Sequence, residues 1–272
     1  MRLGPAFALA LAPILVGGVG VAFGACGGAA FTAGSPDDAG PAIDAPVVTG
    51  PKESFCELEA GTHTFCDDFD NEYDGSTLTS LWPTYDRSNG ATAQDDTAFF
   101  VSSPNSFEAA CPNSVGQLIH ARIGKQFSVT SPSHVVIAFE LHLDMVGLKP
   151  TVAGGTTFVL LTLGANYSIG LTANTDQINA YEDITQADGG LDETTEMVTP
   201  TPPLLGNWVH VTLDVDLASE KVNANVNGNA FGPLAITPPS GQQPAIFIGL
   251  SSREVAVAVE AHYDNVTIDV TQ

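Results

Sequence analysis

Three titratable side chains alternate along one predicted strand, residues 135–145. The odd positions are apolar, so the two-residue period of a strand places Glu140, His142 and Asp144 together on the opposite face. Two carboxylates and a histidine on one face could act as nucleophile and general acid–base catalysts. A strand face in contact with solvent shows the same pattern, and both interpretations remain open.

Two segments nearer the C-terminus carry similar polar rows at alternate positions. These rows are His210, Thr212, Asp214 and Asp216, followed by Asn223, Asn225 and Asn227. Their hydroxyl, carboxylate and amide groups can hydrogen-bond sugar hydroxyls. Such rows are equally typical of an antiparallel sheet with one exposed face.

The charge balance is strongly acidic. Eight Lys and Arg residues stand against 31 Asp and Glu residues, which gives a formal net charge of −23. A surface of this sign repels phosphate backbones, so nucleic acid is excluded as a partner. Neutral sugars and divalent cations are compatible with it, and the charge also keeps an exported protein soluble.

The last third of the chain predicts a β-hairpin. Residues 207–216 and 222–228 alternate apolar with polar side chains, as strands buried on one face do. Residues 217–221 form the turn between them. Asn227 and Gly228 mark the next turn, because both residue types accept the positive φ that a tight turn needs.

Strand patterns cover most of the remaining sequence, and no long helical period is found. A chain of 272 residues can hold one large all-β domain with appended segments. Further candidate strands are 98–101, 106–110, 116–123, 135–145, 157–163, 167–173, 177–182 and 245–250. The prediction is a fold of two packed antiparallel sheets.

Several of these segments together resemble the laminin-G-like, concanavalin A-like jelly-roll family. The resemblance rests on the hairpin that begins at Trp208, on residues 263–268, and on acidic residues flanking aromatics at 64–70 before Trp82. It implies an all-β, two-sheet antiparallel jelly-roll sandwich over residues 52–272. It also implies a surface-anchored, non-catalytic domain that binds a carbohydrate or another surface partner.

Enzymes of the same fold supply an alternative. The resemblance implies that a glycoside hydrolase or polysaccharide lyase would use Glu140, His142 and Asp144, but His142 stands where laminarinase-type enzymes carry an aspartate. The alginate-lyase motif is also altered, because an extra residue separates Gln117 from His120. A third hypothesis is a purely structural envelope lipoprotein.

A change of parity near the C-terminus predicts a β-bulge. Apolar residues occupy odd positions up to Tyr263 and even positions from Val266 onwards. The family resemblance places at this point an aspartate that helps to hold a structural calcium ion. Asp264, with Asp68 and Asp70, is therefore the predicted oxygen-ligand set.

The N-terminus predicts export to a bacterial cell envelope. Residues 1–25 have a basic start and an apolar run typical of a signal peptide. The sequence before Cys26 resembles a bacterial lipobox, which implies lipidation of Cys26 and a membrane anchor, with the outer membrane as the location. Residues 26–51 are rich in Gly, Ala, Pro, Ser and Asp and predict a disordered tether.

Three cysteines follow the predicted lipidation site. In an oxidising compartment nearby cysteines pair by default, which favours a disulfide between Cys56 and Cys66. A bond between Cys66 and Cys111 remains an alternative.

Overall fold

The computed structural model describes residues 54–70, 76–112, 114–145, 155–173, 177–186, 191–198, 204–255 and 258–272. The predicted signal peptide, Cys26 and the tether lie outside these residues. The described chain is nearly all β, with two short helices, α1 at Phe55–Leu58 and α2 at Ser76–Leu81. Neither helix is long and apolar enough to cross a membrane.

Fifteen strands make up the rest of the regular structure in the described ranges. They are β1 Phe65–Asp67, β2 Thr84–Arg87, β3 Thr92–Asp96, β4 Ser106–Cys111, β5 Ser114–Gln126, β6 His134–Met145, β7 Thr156–Leu163, β8 Tyr167–Ala173, β9 Ile178–Thr185, β10 Leu191–Val198, β11 Trp208–Asp216, β12 Lys221–Val226, β13 Asn229–Ala235, β14 Pro244–Val255 and β15 Val259–Thr271.

The strands form two antiparallel sheets. Sheet A has the order β13-β12-β11-β6-β15-β4-β3, with β1 also paired to β15, and sheet B has the order β10-β9-β8-β7-β14-β5-β2. One continuous apolar core lies between them, and its largest fully buried side chains include Trp82, Phe107, Phe139, Phe158 and Tyr263. The predicted jelly-roll sandwich is therefore confirmed.

The alternation predicted for residues 135–145 is present in β6, a central strand of sheet A. Ile137, Phe139 and Leu141 point into the core and are fully buried. The predicted hairpin is also confirmed, since β11 pairs with β12 around the turn at 217–220. Asn227 and Gly228 both have positive φ, 49° and 82°, where β12 turns into β13.

The β-bulge predicted near the C-terminus lies on β15. Its pairing with β6 shifts register between Asp264 and Thr267, and Asn265 adopts a φ of 51°. Val266 and Ile268 then point into the core on even positions. The extra residue thus reconciles two runs of opposite parity on one strand.

A disulfide closes the start of the domain. Cys56 is bonded to Cys66, which confirms the favoured pairing, and Cys111 is a buried free thiol in β4. Beside this bond the indole Nε1 of Trp82 donates to Asp67 Oδ2 at 2.6 Å. Trp82 is therefore a core side chain.

The strand predicted at 98–101 is wrong. Asp96 accepts hydrogen bonds from the backbone N–H groups of Ala98 and Phe99 at 2.9 and 3.0 Å, which turns the chain at the end of β3. Residues 97–105 form a loop, named here the covering loop, because it lies over the outer face of sheet A. A side chain acting as a local hydrogen-bond acceptor has displaced strand pairing.

Substitution of Gly249 tests the close approach of β14 to β5 in sheet B. Its φ is +119°, and a Cβ there would overlap the carbonyl oxygen of Ala121 on β5. We expect Gly249→Ala to lower the free energy of unfolding by at least about 2 kcal/mol. Chemical denaturation measures the change. Gly228→Ala is the control, since its added Cβ meets no atom within 4 Å. Only the cost of a positive φ, about 1 kcal/mol, applies there. Equal losses of stability in the two variants would contradict the steric argument.

Candidate functional site

The outer face of sheet A carries the residues predicted from β6. The side chains of Glu140 and His142 both point away from the core. Glu140 Oε1 lies 2.9 Å from Nδ1 of His210 on β11, its register partner. The side chain of Asp144 lies outside the described part of the chain.

His142 is not open to a large ligand. It is only 6% exposed, because the Phe99 ring of the covering loop stacks on it at 5.4 Å and Trp208 contacts it at the same distance. Phe99 also covers the neighbouring His262, with ring centroids 5.0 Å apart. The covering loop therefore closes the part of sheet A where a catalytic row would need access.

Asp264 holds the covering loop in place. Its Oδ2 accepts hydrogen bonds from the backbone N–H groups of Val101 and Ser102 at 2.6 and 2.8 Å, and its Oδ1 accepts from Ser102 Oγ at 2.9 Å. Burial raises the pKa of Asp264 to about 6, and these hydrogen bonds act in the opposite direction. Asp264, the last residue before the register shift, thus directs its carboxylate towards the loop.

The same contacts bear on the predicted calcium ligands. Asp264 is surrounded by hydrogen-bond donors, which do not fit a cation, and Asp68 accepts from the backbone N–H of Cys56 at 2.8 Å. Among the described residues, no three His, Cys, Asp or Glu side chains are grouped for a metal ion. Calcium held by Asp68, Asp70 and Asp264 stays a prediction.

The outer face of sheet B is built differently, around two aromatic rings that lie on glycines. Phe247 of β14 is the register partner of Gly124 on β5, and a Cβ on Gly124 would lie 2.6 Å from the Cε1 atom of the ring. The guanidinium of Arg122 lies over the same ring, with Cζ 4.7 Å from its centroid. A layer made of the aromatic ring and the guanidinium therefore covers Gly124 on the outer face of the sheet.

Tyr181 of β9 forms the second pair. It is the register partner of Gly170 on β8, and a Cβ on Gly170 would lie 2.7 Å from the tyrosine hydroxyl. That hydroxyl lies 3.3 Å from Thr157 Oγ1. Burial raises the pKa of Tyr181, and the nearby charge of Arg122 lowers it to a smaller extent. Tyr181 is therefore a neutral hydroxyl near neutral pH.

Asp86 of the edge strand β2 joins the charged groups on this face. Its Oδ2 accepts from Arg122 Nη2 at 2.9 Å and from Arg122 Nε at 3.1 Å. Its Oδ1 lies 2.8 Å from Nε2 of His120, which precedes Arg122 on the same side of β5. One carboxylate thus contacts both of these side chains.

A polar cavity of about 490 Å³ continues the face beyond Phe247. Its lining is rich in amide and hydroxyl side chains and includes Gln126, Thr130, Thr162, Gln242 and Gln243. Gln126 Nε2 on β5 donates at 3.1 Å to Oε1 of Gln243, the residue before β14. Groups that donate and accept hydrogen bonds therefore lie next to the flat ring.

These sheet B residues are absent from the sequence-based candidates. Residues 116–123 and 245–250 are predicted strands, but His120 enters the sequence analysis only within an altered motif, and nothing in the sequence singles out Phe247. The available signal was a glycine inside each strand pattern, because an interior strand glycine often marks close approach of another group.

Neither a protein-family model nor a curated protein sequence matches the chain. Similar solved structures include an endo-β-1,4-glucuronan lyase from the fungus Trichoderma reesei, with a TM-score of 0.57 at 12% identity, covering 77% of this chain and 96% of the lyase. The cellulose-induced protein Cip1 has a TM-score of 0.53 at 15% identity, covering 75% and 96%. A family 16 endo-glucanase from Bacteroides ovatus has a TM-score of 0.53 at 12% identity, covering 75% and 99%. The fold is therefore concanavalin A-like, a fold shared by glycoside hydrolases and lyases.

The Glu140 and His210 pair gives a pH-dependent test. Glu140 accepts a hydrogen bond from His210 and so raises the pKa of His210. This pair therefore stabilises the fold below the unfolded pKa of histidine, and the contribution is lost as pH rises through the folded pKa. We expect Glu140→Gln to lower the pKa of His210 in an NMR titration. His120 is the internal control, since it contacts Asp86 and not Glu140; an unchanged His210 would contradict the assignment.

Proposed function

We propose that the domain binds a polysaccharide chain along the outer face of sheet B and does not cleave it. The observation that carries the proposal is the flat Phe247 ring beside the cavity lined by Gln126, Gln242 and Gln243. A sugar ring has apolar C–H faces that pack on an aromatic ring and hydroxyl edges that pair with amides. The same proposal includes the laminin-G-like character of the domain, meaning a non-catalytic domain that binds a carbohydrate or another surface partner.

The distribution of carboxylates supports binding over hydrolysis. Glycoside hydrolases need two carboxyl groups that flank the scissile bond. The outward positions described for β5, β7, β8 and β14 of sheet B carry no carboxylate; Asp183 lies on β9 and Asp86 on the edge strand β2. On sheet A, Glu140 pairs with His210 and His142 lies under the covering loop.

A lyase acting on the same face is the second candidate. His120, Arg122 and Tyr181 all lie on the outer face of sheet B, and the charge of Arg122 reaches Tyr181. Elimination at a uronate needs a cation to neutralise the carboxylate and groups that move protons. The contacts of Arg122 with Asp86 weaken this candidate, because the cation is already paired.

Replacement of Phe247 tests the binding face. We expect Phe247→Ala to weaken binding of β-glucan oligosaccharides at least tenfold, equivalent to about 1.4 kcal/mol, because the stacking surface is lost. Isothermal titration calorimetry on the purified protein measures the affinity. Phe99→Ala is the matched control, as it removes a partly exposed ring from the covering loop over sheet A. An equal loss in both variants would contradict the proposal.

Gly124→Ala extends the same test without removing the aromatic residue. The added methyl group occupies the space of the Phe247 ring, so we expect the ring to move and the affinity to fall.

A cleavage assay separates binding from the lyase alternative. The unaltered protein is incubated with glucans and glucuronan, and products are followed by reducing ends and by ultraviolet absorbance of unsaturated sugars. Products lost on Tyr181→Phe would favour the lyase, and absence of both binding and products would favour the structural hypothesis.

Anchoring to the cell envelope is a further part of the proposal. The lipobox resemblance before Cys26 supports lipidation there, and attached acyl chains hold a protein at a membrane. We expect Cys26→Ser to move the protein from the membrane fraction to the soluble fraction. Cys111→Ser, at a buried thiol, is the control and should stay with the membrane fraction; membrane retention of Cys26→Ser would contradict lipid anchoring at this residue.

A further inference from the structure

We infer that the outer face of sheet B selects neutral glycans and excludes polyuronates, and that Asp86 sets this selectivity. The inference rests on the proposed binding function and names the ligand class of the same face. Its basis is the arrangement of charges around the Phe247 ring.

The only arginine on the described part of this face is already occupied. Asp86 Oδ2 accepts from both Nη2 and Nε of Arg122, at 2.9 and 3.1 Å, so one edge of the guanidinium is saturated. The guanidinium carbon lies over the Phe247 ring, 4.7 Å from its centroid. Arg122 is thus committed to Asp86 through its Nε and Nη2 atoms, and Asp86 already balances its charge.

The other groups on this face do not supply a replacement cation. Asp86 also lies 2.8 Å from His120 Nε2, so the imidazole faces a carboxylate. Towards the other edge, Asp183 and Glu193 are near enough to raise the pKa of Tyr181. Arg122 with Asp86 is neutral as a pair, and the remaining two carboxylates leave the described outward residues with negative charge.

A uronate carboxylate would therefore lose its hydration without gaining a counter-charge. Burying an unpaired ionised group is costly, and nearby like charges add to the cost. A neutral sugar meets no such penalty, because its hydroxyls can pair with the amides and hydroxyls of the cavity lined by Gln126, Thr162 and Gln243.

The test uses two ligands that share one backbone. Cellohexaose and the hexasaccharide of β-1,4-glucuronan differ only by the carboxylate at C6 of each sugar. We measure both affinities by calorimetry on the full-length protein at pH 7.5 and fixed ionic strength. We expect cellohexaose to bind at least tenfold tighter than the glucuronan hexasaccharide to the unaltered protein.

Asp86→Asn tests the assigned role of the carboxylate. The change leaves the charge of Arg122 unbalanced. We therefore expect the affinity for the glucuronan hexasaccharide to rise about tenfold relative to cellohexaose, which is the effect expected of one charge-assisted hydrogen bond. Asp214→Asn is the matched control. It removes the same charge from a carboxylate paired with a histidine on sheet A, His134, and it should leave the ratio of the two affinities unchanged.

The outcomes separate the two proposals. Binding of neither hexasaccharide to the unaltered protein would contradict the proposed function itself. If the unaltered protein binds the glucuronan hexasaccharide as tightly as cellohexaose, or more tightly, the selectivity is overturned while polysaccharide binding stands. This comparison needs no variant. A shift in ratio that is the same for Asp86→Asn and Asp214→Asn would overturn the role of Asp86, because it would reflect only the overall charge of the protein.

Discussion

Burial of alternate side chains between two facing sheets is the constraint on which the rest of the molecule depends. Each strand gives one face to the common core, so a slip of one residue would exchange the buried and exposed sets. The bulge at Asp264 shows how strictly this holds, since one extra residue restores the inward direction of Val266. Any site for a large ligand must then use one of the two outer faces.

The two outer faces differ in how accessible they are to a ligand, because their loops and small residues differ. On sheet A, Asp264 holds the covering loop over His142 and His262. On sheet B, Gly124 and Gly170 lack side chains, and each leaves room for an aromatic ring from a neighbouring strand. One face is therefore closed by its own chain, and the other carries the partly exposed Phe247 ring next to polar groups.

Periodicity predicted the strands well where one face was apolar without interruption, as in β6, β11 and β12. It failed at 98–101, where the Asp96 side chain turns the backbone. The β-bulge was predictable, because it changes parity within one strand. The groups on sheet B were not, because Asp86 meets Arg122 and Phe247 meets Gly124 through pairing between distant segments. Residues of a site that lie on separate strands leave no fixed spacing in the sequence.

The Cys56–Cys66 disulfide also determines how tension would pass through the domain. A pull on the chain that precedes Ser54 would cross the covalent bond to Cys66 and could not extend the segment between the two cysteines. The load would then reach β1, whose three residues pair with Ile268, Thr267 and Val266 of β15, itself hydrogen-bonded to β6 in sheet A. β1 and β15 both belong to sheet A, so a pull from the N-terminal side would enter the domain through sheet A and not through sheet B.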